Sequence, residues 1–447
     1  MPNFLSLIPG ANWKHPNPRL QTAWNFARNG ILIFPLLPSI GVFPIFIALV
    51  LTWVKATPEI LSHRVNWCLA VWSVWSIVVS LLAIDPGEAL LGLANFIPYF
   101  CLFAAYSVLI QTLAQLRQLA WIFLLSAIPV ILLGSAELWL GWGGDLMVGN
   151  TPIQIWGIIP GGNPPGRMAS VFGYANGLAE YLQMVFILAM GLWIDTWEHE
   201  VTSRPLSFSQ IWKIPKLIYL SGLLASCGIA LIATSSRSAW SGAIACTLIF
   251  AVYQSWYWLL GLVSAGMAIV FGSAYAPDPV KTPLRAIVPR YFWARITDEM
   301  YPDRPDAMTR MSQWKFAWKL TQDRPITGWG LQSFGKLYQA HSQIWLGHPH
   351  NIILMLSSNL GLPATIGLIA IVGWIVARAT ILFLDFPIEW RHSRTIFFTF
   401  TIGFGGFIMF NMTDVTAPDL RLNTFAWLFL ASICGLFYQS QLPRDRY

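Results

Sequence analysis

Charge is scarce in this chain. Only 11% of its 447 residues are Asp, Glu, Lys or Arg, against about 25% in a typical soluble domain. Cysteine is scarce too. Cys68, Cys101, Cys227, Cys246 and Cys434 all fall inside apolar runs. They offer neither a disulfide framework nor a zinc site, and say nothing of redox compartment. No GxSxG, HExxH, Walker A or paired-cysteine motif is present, which argues against hydrolase, zinc-protease and ATP-driven chemistry. There is no internal repeat and no low-complexity segment. The first apolar run follows about thirty mixed polar residues with no small-residue cleavage site, so no removable signal peptide is expected.

What abounds is apolar. Hydrophobic residues make up 56% of the chain, with 24 Trp and 28 Phe, and the mean hydropathy is +0.57. This is the composition of an integral membrane protein with interfacial aromatic belts. The net charge of +7 then points to cytoplasmic loop charge and to anionic lipid or phosphate, and no nucleic-acid partner is expected.

Runs long enough to cross a bilayer, at about 20 residues per helix, lie near 31–54, 65–84, 88–110, 119–140, 176–194, 216–234, 239–256, 257–277, 361–384, 394–412 and 423–440. The first contains Pro35, Pro38, Gly41 and Pro44, so a straight helix is not expected. Basic residues choose the orientation. Lys14, Arg19 and Arg28, then Arg204, Lys213 and Lys216, then Arg391 and Arg394, and finally Arg444 and Arg446 should all be cytoplasmic. An even number of crossings must separate Arg28 from Lys213. The first run therefore counts twice or is re-entrant, giving about twelve segments with both termini cytoplasmic. The expected fold is all-α and polytopic. A cytoplasmic segment (1–30) leads into an N-terminal membrane bundle (31–276). An extracytoplasmic loop subdomain (277–348), C-terminal membrane helices (349–440) and a short cytoplasmic tail (441–447) follow.

That topology puts the loop 141–175, the turn Ser235–Ser238 and the long basic loop from Pro277 to His350 on one outer face. Within the long loop, residues 306–325 read as a helix, with Met311, Trp314 and Trp318 on one face and Lys315 and Lys319 on another. Such a helix lies in the membrane interface.

A few polar residues could carry chemistry. Arg237, flanked by Ser235, Ser236 and Ser238, is either a snorkelling turn residue or a guanidinium fork for phosphate. His348 and His350 precede an apolar helix, where a histidine can exchange protons near neutral pH. Asn351 and His350 could equally cap that helix. HxH is half a metal site, but no acidic or cysteine ligand lies at useful spacing, so no metal and no cofactor is expected. His341 should be solvent-exposed. Arg310 opens the loop helix, as a solvated charge or a phosphate ligand. Arg167, Asn176 and Glu180 gather before and at the head of the run near 176–194. Glu180 is either a buried acid paired with an arginine or a water-facing residue. Trp329 sits in a tight Gly-Trp-Gly turn. Glu137 and Asp145 read as interfacial.

Five stretches in order resemble a known family: GRMASVFGYANGLAEYL, SSRSAW, RMSQWKFAWKL, DRPITGWGLQSFG and HPHNIILMLSSNLGLPATIG. The chain resembles the O-antigen ligase/polymerase superfamily of bacterial envelope glycan enzymes, the Wzy-C and WaaL-like membrane glycosyltransferases. The resemblance implies a GT-C-like fold in the bacterial inner membrane with its active site on the periplasmic face. It implies metal-independent, inverting transfer of a glycan from undecaprenyl diphosphate to a hydroxyl on a glycan or lipid-linked glycan acceptor. His350 matches the family's essential histidine, as orienting group or base for the acceptor. Arg237 and Arg310 match arginines that hold the diphosphate. His348, Asn351, Glu180, Asn176, Arg167 and Trp329 would support substrate binding. Ala364 departs from the family pattern. The alternative is a transporter or permease, suggested by the broken first run and by cyanobacterial relatives linked to inorganic-carbon accumulation. Those relatives lose the histidine motif, which this chain keeps.

Overall fold

A computed structural model describes residues 14–147, 154–202, 214–300, 302–303 and 305–441. Arg204, Lys213, Arg304, Arg444 and Arg446, with most of the expected tail, lie outside the described residues. Ten described helices are long and apolar enough to cross a membrane. Two shorter ones, Gln21–Ile33 and Arg237–Tyr253, complete a serpentine of twelve antiparallel segments among the described residues. The fold is all-α and polytopic as expected. Its one described sheet is a two-stranded antiparallel ribbon, Gly144–Met147 with Gln154–Ile158.

The first apolar run does contribute to two segments, and it divides at the turn that Pro35 and Pro38 mark, not at Pro44. The helix Pro38–Ser62 runs through Pro44, and the turn lies at 34–37, near the start of the run. Proline at the first position of a helix costs no intrahelical bond, so Pro38 starts the second arm well. The first arm, Gln21–Ile33, begins upstream of the apolar run and packs along the second. Lys55 Nζ donates to the Arg19 carbonyl at 3.0 Å and closes the open end of this hairpin.

Contacts between connections separate two faces. On one, Ile84 N donates to the Trp329 carbonyl, Arg421 reaches the carbonyls of Val171 and Pro35, and Arg167 Nε donates to the Thr234 carbonyl. On the other, Arg117 binds Asp195 and Ser393, and Gln254 binds Glu198. The long loop 276–351 belongs to the first face.

Burial ranks the helices. Leu420–Ser440 is 94% buried along its apolar window and Ala175–Val201 is 83%, so these two form the centre. Tyr257–Tyr275 is only 11% buried and presents its apolar surface outward, as a lipid-facing helix does. Small residues let the central backbones approach. A Cβ at Gly435 would lie 2.1 Å from the Ile110 carbonyl oxygen.

Candidate functional site

The site is built on a broken helix. Ile352–Leu384 begins directly after the histidine motif with Asn351 as its cap, as the sequence reading allowed, and it is interrupted at Gly361, with φ 80° and ψ 171°. Pro363 has no N–H, so the Asn359 carbonyl loses its usual partner. Gly330 N fills that place at 2.8 Å, and Trp329 N bonds the Ser358 carbonyl at 2.9 Å. Leu362 N turns to the Pro325 carbonyl at 2.7 Å. The run 325–330 is thus stitched to the break. Glycine is required on both sides. A Cβ at Gly361 would lie 2.2 Å from the Ile326 carbonyl oxygen, and one at Gly328 2.5 Å from the Asn359 backbone.

That stitching seats the loop helix Arg310–Asp323. Its buried face is Gln313, Ala317, Leu320 and Thr321, and Thr321 Oγ1 lies 2.9 Å from Ser357 Oγ. Met311 and Trp318 point outward. The expected aromatic stripe is therefore the outer surface of a helix packed on protein, and the small polar face is what orders the site.

His350 lies at φ 53°, in the left-handed region that non-glycine residues rarely adopt. Its Nδ1 is 2.7 Å from Gln313 Oε1. The Gln313 amide nitrogen donates to the Met308 carbonyl at 3.2 Å, which orients the amide with its oxygen toward the ring. Nδ1 therefore carries the proton and Nε2 is left as the basic nitrogen. Nε2 faces Asp414 Oδ1 at 3.9 Å. The backbone N–H of His350 donates to His348 Nδ1 at 3.2 Å, and the two rings lie 4.5 Å apart. Burial pushes the pKa of His350 down. The Asp414 carboxylate opposes that shift and the Arg310 charge adds to it. Burial, and then His350, push His348 down to about 4, against the pull of Asp414.

Asp414 is held in turn. Asn176 Nδ2 donates to Oδ2 at 2.5 Å, and Val415 N donates to Oδ1 at 2.8 Å. Arg167 donates to Asn176 Oδ1 at 2.5 Å. Arg310 reaches Ser238 Oγ at 3.4 Å, and Thr413 Oγ1 donates to the same hydroxyl at 2.8 Å. His350, Asp414, Arg310, Asn176 and Arg167 thus come together. Arg237 begins its helix beside Ser238, yet its guanidinium turns to Asp298 Oδ1 at 2.9 Å and to the Arg295 carbonyl. Asn351 both caps and ties: its Oδ1 accepts Leu354 N at 3.0 Å and its Nδ2 donates to the Met412 carbonyl at 2.9 Å.

Three expectations change. Glu180 is fully buried, but its partners are Asn411 Nδ2 at 2.7 Å and Thr416 Oγ1 rather than an arginine. It pins the turn that carries Asp414. Trp329 is not brought to the histidines. Its indole donates to the Leu320 carbonyl at 2.8 Å and the Arg324 guanidinium lies over its ring. Glu137 is buried rather than interfacial, and its Oε2 accepts the N–H groups of Ala169 and Ser170. His341 is exposed, as expected, and Asp145, read as interfacial, is exposed as well.

Gln313, Asp414, Ser238 and Thr413 were missed. Asp414 had a signal: it sits in the polar interruption between the last two apolar runs, which the alternation of helices puts on the site's face. The acidic neighbour absent from the local sequence thus arrives through the fold. Donor atoms of His348, His350 and Asp414 lie within 4.8 Å of one another, a grouping of the kind that can hold a cation, and both Asp414 oxygens already accept hydrogen bonds.

Fold and site define a polytopic helical membrane protein with a half-buried histidine beside a buried carboxylate, and arginines under a loop on one face. Residues 222–369 match the family model described as O-antigen ligase, so this stretch of the chain is similar to that family. No curated protein matches it in sequence. One solved chain, from work on structural coordination of polymerization and crosslinking by a peptidoglycan synthase complex, is 16% identical. The match covers 86% of this chain and 98% of that one with a TM-score of 0.44, a likeness too distant to inform fold or chemistry.

Proposed function

We propose that this protein transfers a glycan from an undecaprenyl-type polyprenyl diphosphate to a hydroxyl of a glycan or lipid-linked glycan acceptor, with inversion and without a metal. The observation that carries the reading is the His350 imidazole, whose Nδ1 is engaged by Gln313 while Nε2 faces Asp414 beside Arg310. His350 Nε2 takes the proton of the acceptor hydroxyl. The hydroxyl oxygen bonds to the anomeric carbon as the bond from that carbon to the diphosphate oxygen breaks. The diphosphate leaves with the electron pair, and a single displacement inverts the carbon. Fixed guanidinium groups stabilise the developing negative charge without reorganising. Arg310 is one such group; Arg237 is not fixed in this way, and contributes charge only after it exchanges Asp298 for phosphate oxygens when the donor binds. Asp414 stabilises the imidazolium until its proton passes to water. A base of this kind contributes about 10²–10⁴-fold.

Arg167 and Asn176 act through Asp414, His348 and Asn351 shape the approach, and Trp329 supports the loop helix. In this reading the site faces the periplasm and both termini are cytoplasmic, an orientation supported by Arg117, Lys216, Arg391 and Arg394 on the opposite face. The bundle 31–276 and helices 349–440 enclose the lipid carrier, and the loop 277–348 covers the diphosphate. In a deletion strain, restoration of surface glycan by the wild type and its loss in His350→Ala and Arg310→Ala are expected. Full restoration by His350→Ala, Arg310→Ala and Arg237→Ala alike would sink the proposal.

A further inference from the structure

The face opposite the histidine site carries a cavity of about 490 Å³ that the transfer reaction does not use. It lies where the helices Ala175–Trp197, Arg237–Tyr253 and Ile352–Leu384 end and Arg394–Asn411 begins. Those ends put it at the membrane face rather than at mid-depth.

Its lining is basic. Arg391, Arg394, His199 and His392 contribute, against the single carboxylate of Glu198. Glu198 is already engaged: Gln254 Nε2 donates to Oε1 at 2.7 Å and Thr395 Oγ1 to Oε2 at 2.7 Å. The neighbouring Asp195 is also spent, on Arg117, with two contacts at 2.9 Å. Two guanidinium charges therefore face the cavity against one satisfied carboxylate. Arg394 donates from one terminal nitrogen to the Phe383 carbonyl at 2.9 Å, while its buried Nε has no hydrogen-bond partner among the described residues. The N-terminus of the 18-residue helix Arg394–Asn411 adds its positive dipole end. One part of the wall is apolar, from Leu384 and Phe386.

We propose that this cavity binds the phosphate headgroup of an anionic glycerophospholipid. Arg391 and Arg394 meet the phosphate oxygens, and Leu384 and Phe386 meet the glycerol and first acyl carbons. Basic pockets between helices at a membrane face suit such headgroups. The apolar wall and the level of the cavity favour a lipid over free phosphate.

The test is native mass spectrometry of the full-length protein in mild detergent, titrated with phosphatidylglycerol or phosphatidylcholine. The comparison is with the double variant Arg391→Gln, His392→Gln. Phosphatidylglycerol should bind more tightly than phosphatidylcholine. The double variant should weaken phosphatidylglycerol alone, by about five-fold for the lost arginine, with its unfolding temperature in phosphatidylcholine unchanged. If the double variant is unstable, the exposed single change Arg391→Gln serves. Unchanged phosphatidylglycerol affinity in the variant, or equal affinity for both lipids, would overturn the proposal. Millimolar inorganic phosphate competing away phosphatidylglycerol, with lipid and phosphate equally sensitive to Arg391→Gln, would reassign the site to free phosphate and overturn the lipid assignment. None of these outcomes bears on glycan transfer.

Discussion

Gln313 fixes the tautomer of His350. Its oxygen takes the Nδ1 proton at 2.7 Å while its own nitrogen is tied to the Met308 carbonyl, so the basic Nε2 is turned toward Asp414. A residue of the loop helix Arg310–Asp323 thereby orients one that directly precedes the helix Ile352–Leu384.

Gln313→Leu should therefore lower kcat by about 10²-fold, the cost of misplacing a reacting group by about 1 Å. KM for the lipid-linked donor should change little, because both ends of the Gln313 amide are spent on His350 and the Met308 carbonyl. An unchanged kcat would show that ring orientation is set elsewhere.

The pH profile follows from burial. His350 is pushed below its usual value of 6.5, so it is neutral, and competent as a base, at pH 7. The acid limb of kcat should fall below pH 6.5. Asp414 raises the pKa of His350, so Asp414→Asn should move that limb lower still while reducing the plateau. A limb moving upward would contradict the assignment.

His348 adds a stability term with a defined sign. Its folded-state pKa is about 4, below the usual 6.5. Protons therefore bind the unfolded chain more readily, and the contribution is complete above pH 6.5 and lost as pH falls through about 4. Unfolding temperature should drop across that window, and His348→Gln should flatten the drop. The same slope in the variant would assign the loss to other groups.

Gly361→Ala places a side chain at φ 80° and against the Ile326 carbonyl. It should destabilise by more than about 1 kcal/mol and loosen the segment 325–330. Hydrogen exchange of Trp329 and Gly330 should rise. Protection equal to the wild type would mean that the break does not depend on glycine.

Much of this was legible in the sequence, and the failures have physical reasons. Apolar length gives the helices, and basic loops give an even crossing count. The histidine motif and Arg310 stood out because an apolar chain keeps few charges. Helical phase showed two faces of residues 310–323 but not which one meets protein, so Gln313 was invisible beside Trp314 and Trp318. Asp414 has no local motif and reaches His350 only because two hairpins dock. Glu180 was read as either paired with an arginine or facing water, whereas it is buried and Asn411 and Thr416 satisfy it. Trp329 looked available in its Gly-Trp-Gly turn, but the Leu320 carbonyl takes its indole.

The central claim is tested most directly by incubating purified protein with a defined polyprenyl-diphosphate glycan and acceptor in the presence of a metal chelator. Release of polyprenyl diphosphate with an inverted glycosidic product is expected, reduced by about 10²-fold or more in His350→Gln. Turnover that requires a divalent metal, or that His350→Gln leaves intact, would contradict the account.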